Sequence, residues 1–186
     1  PALPMPISDA KLDQWENEAA AGGTHTSPCP YELSSGTTNL GPKKIACDLN
    51  ITNTAVVNLI GTLWVAGNLT IQNSAIVRLD PSYGATSGLI IVDDTANRSS
   101  KSILDVKNSA QILGSGTPGS YVMLVSRNNS AESGGGVDAV EVQNTSSAPI
   151  YYAPHGSIEI HNNANLKEVT AYKIEITNSA TVTYET

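Results

Sequence analysis

Phenylalanine is absent from the 186 residues, and aromatic residues of every kind make up only 5%. Charged residues are also sparse at 15%, with ten Lys and Arg against seventeen Asp and Glu. The resulting charge of −7 argues against nucleic acid and anionic membrane surfaces as partners, because both call for a basic footprint. No run of about 20 apolar residues occurs, so no segment reads as a membrane-crossing helix. Cysteine is limited to Cys29 and Cys47, in no metal-type spacing and with only His25 nearby, a poor ligand set for zinc. The pair reads as a disulfide closing the loop between them, and hence as a sign of an oxidising compartment, against the alternative of two free thiols. Also missing are a Gly-Ser nucleophile elbow, a phosphate loop, a His-Glu zinc motif and a dinucleotide fingerprint.

Ser, Thr, Asn and Gly abound instead, and they are arranged in a repeat. The heptapeptide Leu69-Thr-Ile-Gln-Asn73-Ser-Ala75 returns in variant form at 49–55, 104–110, 140–146, 158–164 and 174–180. The copies align on Asn53, Asn73, Asn108, Asn144, Asn162 and Asn178. Positions four and two before each Asn are aliphatic, positions three and one before it are polar, and Ala or Ser stands two after it. Alternation of this kind is a half-buried strand, since successive side chains leave a strand on opposite faces. A strand that recurs and cannot bury its face alone stacks on its own copies, which is a solenoid. Asn suits the corner between two strands because it tolerates left-handed backbone, and its amide can bond to the copies above and below as a ladder. Ordinary hairpin turns at Asn-Ser and Asn-Thr are the competing reading.

Residues 1–7 read as an extended, exposed proline-spaced linker. Ser8 offers an N-cap and Gly22-Gly23 a stop, with Leu12, Trp15 and Ala19 as an apolar stripe between them. This short helix is expected to plug the open end of the solenoid, with residues 8–47 as helix and disulfide-linked cap and 48–186 as solenoid. The segments 62–65, 88–92, 121–125 and 150–152 supply a third, continuously apolar strand per coil. The fold class expected is therefore all-β, a right-handed parallel β-helix of about six coils. Insertions at 80–87, 93–102, 114–120 and 126–138 gather beside the third strand, the default place for binding. The chain starts at Pro1 and stops on Thr186 after a strand pattern, so it is read as a fragment or processed form.

The outward position three before the corner Asn carries Asp105, Glu141, Glu159 and Glu175 in successive copies, an expected acidic column. Like charges on neighbouring strands repel, so Lys107, Lys173 and His161 are expected to relieve them. Bound Ca²⁺ is the alternative, and it is the one cofactor the sequence suggests. A face of carboxylates invites comparison with the pectate-lyase type of β-helix, but Arg78, Arg98 and Arg127 do not fall beside the column. Five Asn-x-Ser/Thr sequons (Asn50, Asn68, Asn97, Asn128, Asn144) are accounted for by composition.

Several stretches resemble a known family: Pro4-Met-Pro-Ile-Ser-Asp9 leading to Trp15, Cys29-Pro30, Gly41-Pro-Lys-Lys44 and Leu79-Asp-Pro-Ser-Tyr-Gly84. Gly114-Ser-Gly-Thr-Pro-Gly-Ser120, Ala171-Tyr-Lys173 and Tyr184-Glu185 extend the likeness over nearly the whole chain. They are similar to bacterial surface proteins of the type IV pilus assembly PilX-like family, frequent in candidate-phyla genomes. That resemblance implies a cell-surface location and a longer parent with an apolar pilin-type segment, and it brings no catalytic motif. The sequence is thus expected to encode an extracellular, non-enzymatic structural or adhesive solenoid. Its expected partners are pilus or surface proteins, copies of itself, or a glycan, without nucleic acid or membrane contact. A carbohydrate-active lyase or hydrolase and a self-assembling filament subunit are the alternatives.

Overall fold

The computed structural model describes residues 4–145, 147, 149–178 and 180. Ser146 of the fourth repeat, Ala148, Val182 and the Tyr184-Glu185 pair lie outside them. Among the described residues every strand pairing is parallel, against the hairpin reading, and the strands fall into three stacks. Face A contains Thr24–His25, Lys43–Ile45, Leu63–Val65, Gly88–Val92 and Val122–Ser126. Face B contains Tyr31–Leu33, Leu49–Ile51, Leu69–Ile71, Leu104–Val106 and Asp138–Gln143. The long strands Ile150–His161 and Glu168–Thr177 follow, each continuing both faces across a register shift. Faces A and B are therefore one curled sheet, with a main path of eleven strands and Glu168–Thr177 pairing beside it. Face C is a separate four-stranded sheet of Thr37–Leu40, Val56–Leu59, Ile76–Leu79 and Gln111–Leu113. Residues 24–40, which the sequence reading places in the cap, thus contribute strands in register with all three stacks.

Like positions lie over like positions throughout. Leu49, Leu69, Leu104, Val140, Ile158 and Ile174 are consecutive register partners, and all but Ile174 are fully buried. Val57, Val77, Ile112 and Leu166, each four after a corner Asn, are buried as well. In the last described strand, Ile174 and Ile176 sit over Ile158 and Ile160 and are 46% and 54% exposed.

All six corner asparagines adopt left-handed backbone, with φ between 49° and 58°. Their side chains lie at the outside of the bend, and Asn108 Nδ2 donates to Asn73 Oδ1 at 3.2 Å. The turn also brings backbone across rungs, as Ser74 N donates to Asn108 O at 3.0 Å and Ser109 N to Asn144 O at 2.8 Å. Ala55, Ala75, Ala110 and Ala164 are buried just past the bend. Backbone conformation is thus the main reason for Asn here, and the amide ladder is an addition at the Asn73–Asn108 step.

The helix spans Asp9–Ala21, with the Ser8 hydroxyl accepting from Lys11 N and Gly22 N returning to Ala19 O at 3.1 Å. It does not plug the end of the stack. Leu12 packs with Ile91, Val125 and Tyr152, flanked by Trp15, Leu89 and Met123, on the outside of face A. The reason lies in the third strand: Ile90, Val92, Leu124 and Tyr151 face the solenoid interior, while Ile91, Val125 and Tyr152 face out. A strand that is apolar on both sides needs cover on both sides. Lys44, Trp64, Ile91, Val125 and Tyr152 are successive register partners, four ladder steps or roughly 19 Å. Thirteen helical residues span about 20 Å, so the helix lies lengthwise along the stack. Its start meets the Tyr152 rung and its end meets Pro42, whose carbonyl oxygen would lie 2.0 Å from a Cβ at Gly22. The segment before the helix is not a free linker either. Met5 and Ile7 are half-buried, and the Tyr152 hydroxyl donates to Ile7 O at 2.7 Å and accepts from Ile7 N at 3.3 Å.

Cys29 and Cys47 form a disulfide with Cα atoms 5.9 Å apart. Each occupies the bend from face A to face B, in successive rungs, so the bond staples the first rung to the second. Closing a loop of this size constrains the unfolded chain by about 3 kcal/mol.

A left-handed corner sets an ordering among substitutions. Asn108→Ala should lower stability by about 1–2 kcal/mol, from backbone strain plus the lost amide bond to Asn73. Asn108→Gly should cost less than the alanine change, because glycine accepts this φ freely. Urea midpoints of the two variants check the order, and an alanine variant as stable as the glycine one would remove the conformational explanation.

Candidate functional site

Three constellations could carry function: the acidic column on face B, a buried charge cluster beneath the helix, and clefts beside the inserted loops.

Register sets Asp105, Glu141, Glu159 and Glu175 directly opposite one another on consecutive rungs. Thr70, Asn50 and Glu32 continue the same line toward the first rung. Each carboxylate has a nearby partner. Lys107 pairs with Asp105 and Lys173 with Glu175. His161 Nε2 lies 3.1 Å from Glu159 and 3.7 Å from Glu141, and Gln143 Nε2 donates to Glu141 at 3.2 Å. Asn50 Nδ2 donates to Glu32 at 2.7 Å. The column is a line of carboxylates, each beside a side chain of its own or a neighbouring strand, rather than a convergent pocket. Among the described residues, no three His, Cys, Asp or Glu side chains come close enough together to hold a metal ion.

The second constellation is built around Arg98 and Arg127, which the insertions carry over face A. Asp93, fully buried where face A ends, accepts Arg98 Nε at 2.7 Å and Arg98 Nη2 at 2.6 Å. Arg127, 4% exposed at its side chain, reaches Glu16 at 3.0 Å, Asp9 at 3.4 Å and Asp93 at 3.6 Å, and also bonds to Asp13. His155 bridges Asp9 at 3.0 Å and Glu132 at 2.7 Å. Charges from the helix, from both loops that leave face A and from the bend of the Ile150 strand therefore meet under the helix. Glu16 could have been found by spacing, since it stands four after Leu12 and three before Ala19 on the buried stripe. The arginines carry no such signal, because a loop brings them there. Burial pushes the Glu16 carboxyl up to about 7, aided by the Asp93 charge and opposed by Arg127.

The loops form two groups rather than one flank. Loops 93–102 and 126–138 leave face A together, with Asn128 Nδ2 donating to Lys101 O at 2.6 Å and Ser126 Oγ to Ser102 O at 2.6 Å. Loops 80–87 and 114–120 enter face A together, Ser120 Oγ donating to Thr86 O at 2.8 Å and Tyr121 N to Ser87 Oγ at 3.1 Å. This second pair overhangs a cleft of about 660 Å³ on face C, lined by Asn58, Arg78, Leu79, Pro81, Leu113 and residues 114–121. A smaller cleft of about 230 Å³ places Asp138, Ser157 and Lys173 on successive rungs beside residues 134–136. There the Ser157 hydroxyl donates to Asp138 at 2.6 Å, which holds its proton on a carboxylate.

No protein-family model, curated protein or solved structure matches this chain. Function therefore rests on the three constellations themselves. Two of the sequons are structural: buried Asn128 bonds to Lys101 O, and Asn68 Oδ1 accepts Ile103 N at 3.1 Å.

The raised Glu16 carboxyl has a defined consequence for stability. A group that holds its proton more tightly folded than unfolded subtracts stability once it ionises, beginning above 4.5 and completely above about 7. Glu16→Gln should therefore gain on the wild type as pH rises through that window, the difference being larger at about pH 8 than at about pH 5. Urea midpoints at the two pH values measure it, and a difference that does not grow with pH would show that Glu16 titrates normally.

Proposed function

We propose that this chain is a rigid structural or adhesive scaffold displayed outside the cell, built as a right-handed β-solenoid of about six coils after a short first rung. The observation that carries the reading is the acidic column. Carboxylates recur at one coil position for four rungs, and each has a lysine, histidine or amide side chain beside it. Hydrolysis or elimination calls for unlike groups converging on one spot with environments that push their pKa values apart. A column of like groups makes a uniform flank suited to display or lateral packing. The disulfide supports an oxidising, extracellular setting. The association with a pilus rests on the resemblance to PilX-like surface proteins.

A second reading, a filament subunit, is favoured by the exposed Ile174 and Ile176 at interior positions of the last described strand. Stacking another rung there would bury both.

The scaffold reading is tested by turnover. Incubated with polygalacturonate, alginate and neutral glycans in the presence of Ca²⁺, the protein should leave every polymer intact. Cleavage that disappears in Glu141→Gln or Glu159→Gln would replace the scaffold with a carbohydrate-active enzyme.

A further inference from the structure

We propose that the cleft between face C and the 114–120 loop binds an acidic sugar, with Arg78 anchoring the sugar's carboxylate. The inference goes beyond the scaffold reading, which stands without it. Arg78 faces outward on strand Ile76–Leu79, between Asn58 on one neighbouring rung and Leu113 on the other. Its Nε donates to Asn58 Oδ1 at 2.8 Å, and Asn58 Nδ2 donates in turn to Asn39 Oδ1 at 3.0 Å. This outward ladder on face C holds the guanidinium by its inner nitrogen. The two terminal nitrogens make no hydrogen bond or ion pair among the described residues.

Charge makes this arginine unusual. Arg98 and Arg127, the other two, are both bonded to carboxylates. In a chain with seventeen acidic residues and ten basic ones, an exposed arginine held by one hydrogen bond and without an acid among the described residues is open to an anion. Guanidinium is planar and matches a carboxylate with two parallel bonds.

The cleft around it is built in advance. The loops that wall it are braced to each other by the bonds of Ser120 to Thr86 O and Tyr121 to Ser87, and by a bond from Ser115 Oγ to Gly84 O. Walls that need no ordering on binding spare the ligand that cost. Pro81, Leu113 and Tyr121 supply apolar surface, and Leu113 is 38% exposed. A volume of about 660 Å³ falls within the range of small-ligand sites.

The strand bearing Arg78 is paired on both edges, so an extended peptide could join as a strand only along Gln111–Leu113, the last strand of the described sheet and one rung from that arginine. Recognition at Arg78 itself falls to side chains: a fork for one carboxylate, beside the apolar surface of Pro81, Leu113 and Tyr121. A sugar acid presents both groups in one compact unit.

Calorimetric titration of the wild-type chain with digalacturonate provides the test, run beside its dimethyl ester and an acetylated dipeptide with a free carboxyl terminus. Saturable binding of digalacturonate is expected, weakened about tenfold or more by Arg78→Gln and by esterification. Arg78→Lys should restore part of it, since a point charge lacks the fork. Leu113→Glu, which sets an acid beside Arg78 from the next rung, should abolish it by a separate route. Thermal melting of each variant should match the wild type. Absence of digalacturonate binding, equal binding by Arg78→Gln, equal binding of the ester, or tighter binding of the dipeptide would each overturn the proposal. None of these outcomes bears on whether polymers are cleaved, so the cleft can fail while the scaffold reading stands.

Discussion

Parallel, in-register stacking is the constraint on which everything else depends. Once Leu69 lies over Leu49 and under Leu104, each residue type at a coil position is repeated along the axis. Apolar positions then become a continuous core, and the bends become a line of left-handed asparagines. Acidic positions become a column of like charges that must be screened locally. The same constraint produces the orderly core and the electrostatic problem on the outer surface. Lys107, His161 and Lys173 are the local solutions to that problem, each supplied from within two residues of an acid on its own strand.

The helix solves a different problem arising from the same stacking. Face A is apolar on both sides in its middle rungs, and a stack with one bare apolar side would be adhesive along its length. Leu12 and Trp15 cover that side, while the polar cluster around Arg127 borders the contact where face A ends and ties the helix to both loops that leave it. Burying Arg127 and Asp93 is acceptable because each charge has several partners. The cluster fixes the helix against sliding, which apolar contact alone would leave undetermined.

Much of this was legible in the sequence, and the reasons are physical. Period-two alternation and a fixed corner residue are local signals, so the repeat, its phase, the third strand and the acidic column could be read from spacing. The disulfide followed from a lone pair of cysteines flanking one loop in no metal-type spacing. The helix itself was legible from Ser8, its stripe and Gly22, but its docking was not. The decisive clue was present in Gly88–Val92 and Val122–Ser126, whose unbroken apolar runs already demanded cover on the outer side. A single helix with no matching surface named tends to be placed at an open end, where a cap is also needed. The charge cluster and the Arg78 cleft depend on where long loops return, and loop paths have no period to read.

The lengthwise helix gives the rod a base and a tip. Chain direction along the helix runs opposite to the progress of the coils, so residues 4–8 begin beside Tyr152 and Pro154. The last described strand, Glu168–Thr177, pairs with the very strand that holds those residues. Both ends of the described chain therefore emerge at one pole, and the disulfide-stapled first rung is the opposite pole. Force applied through residues 4–8 or through Glu168–Thr177 would enter at the late rungs and leave the stapled tip free of load.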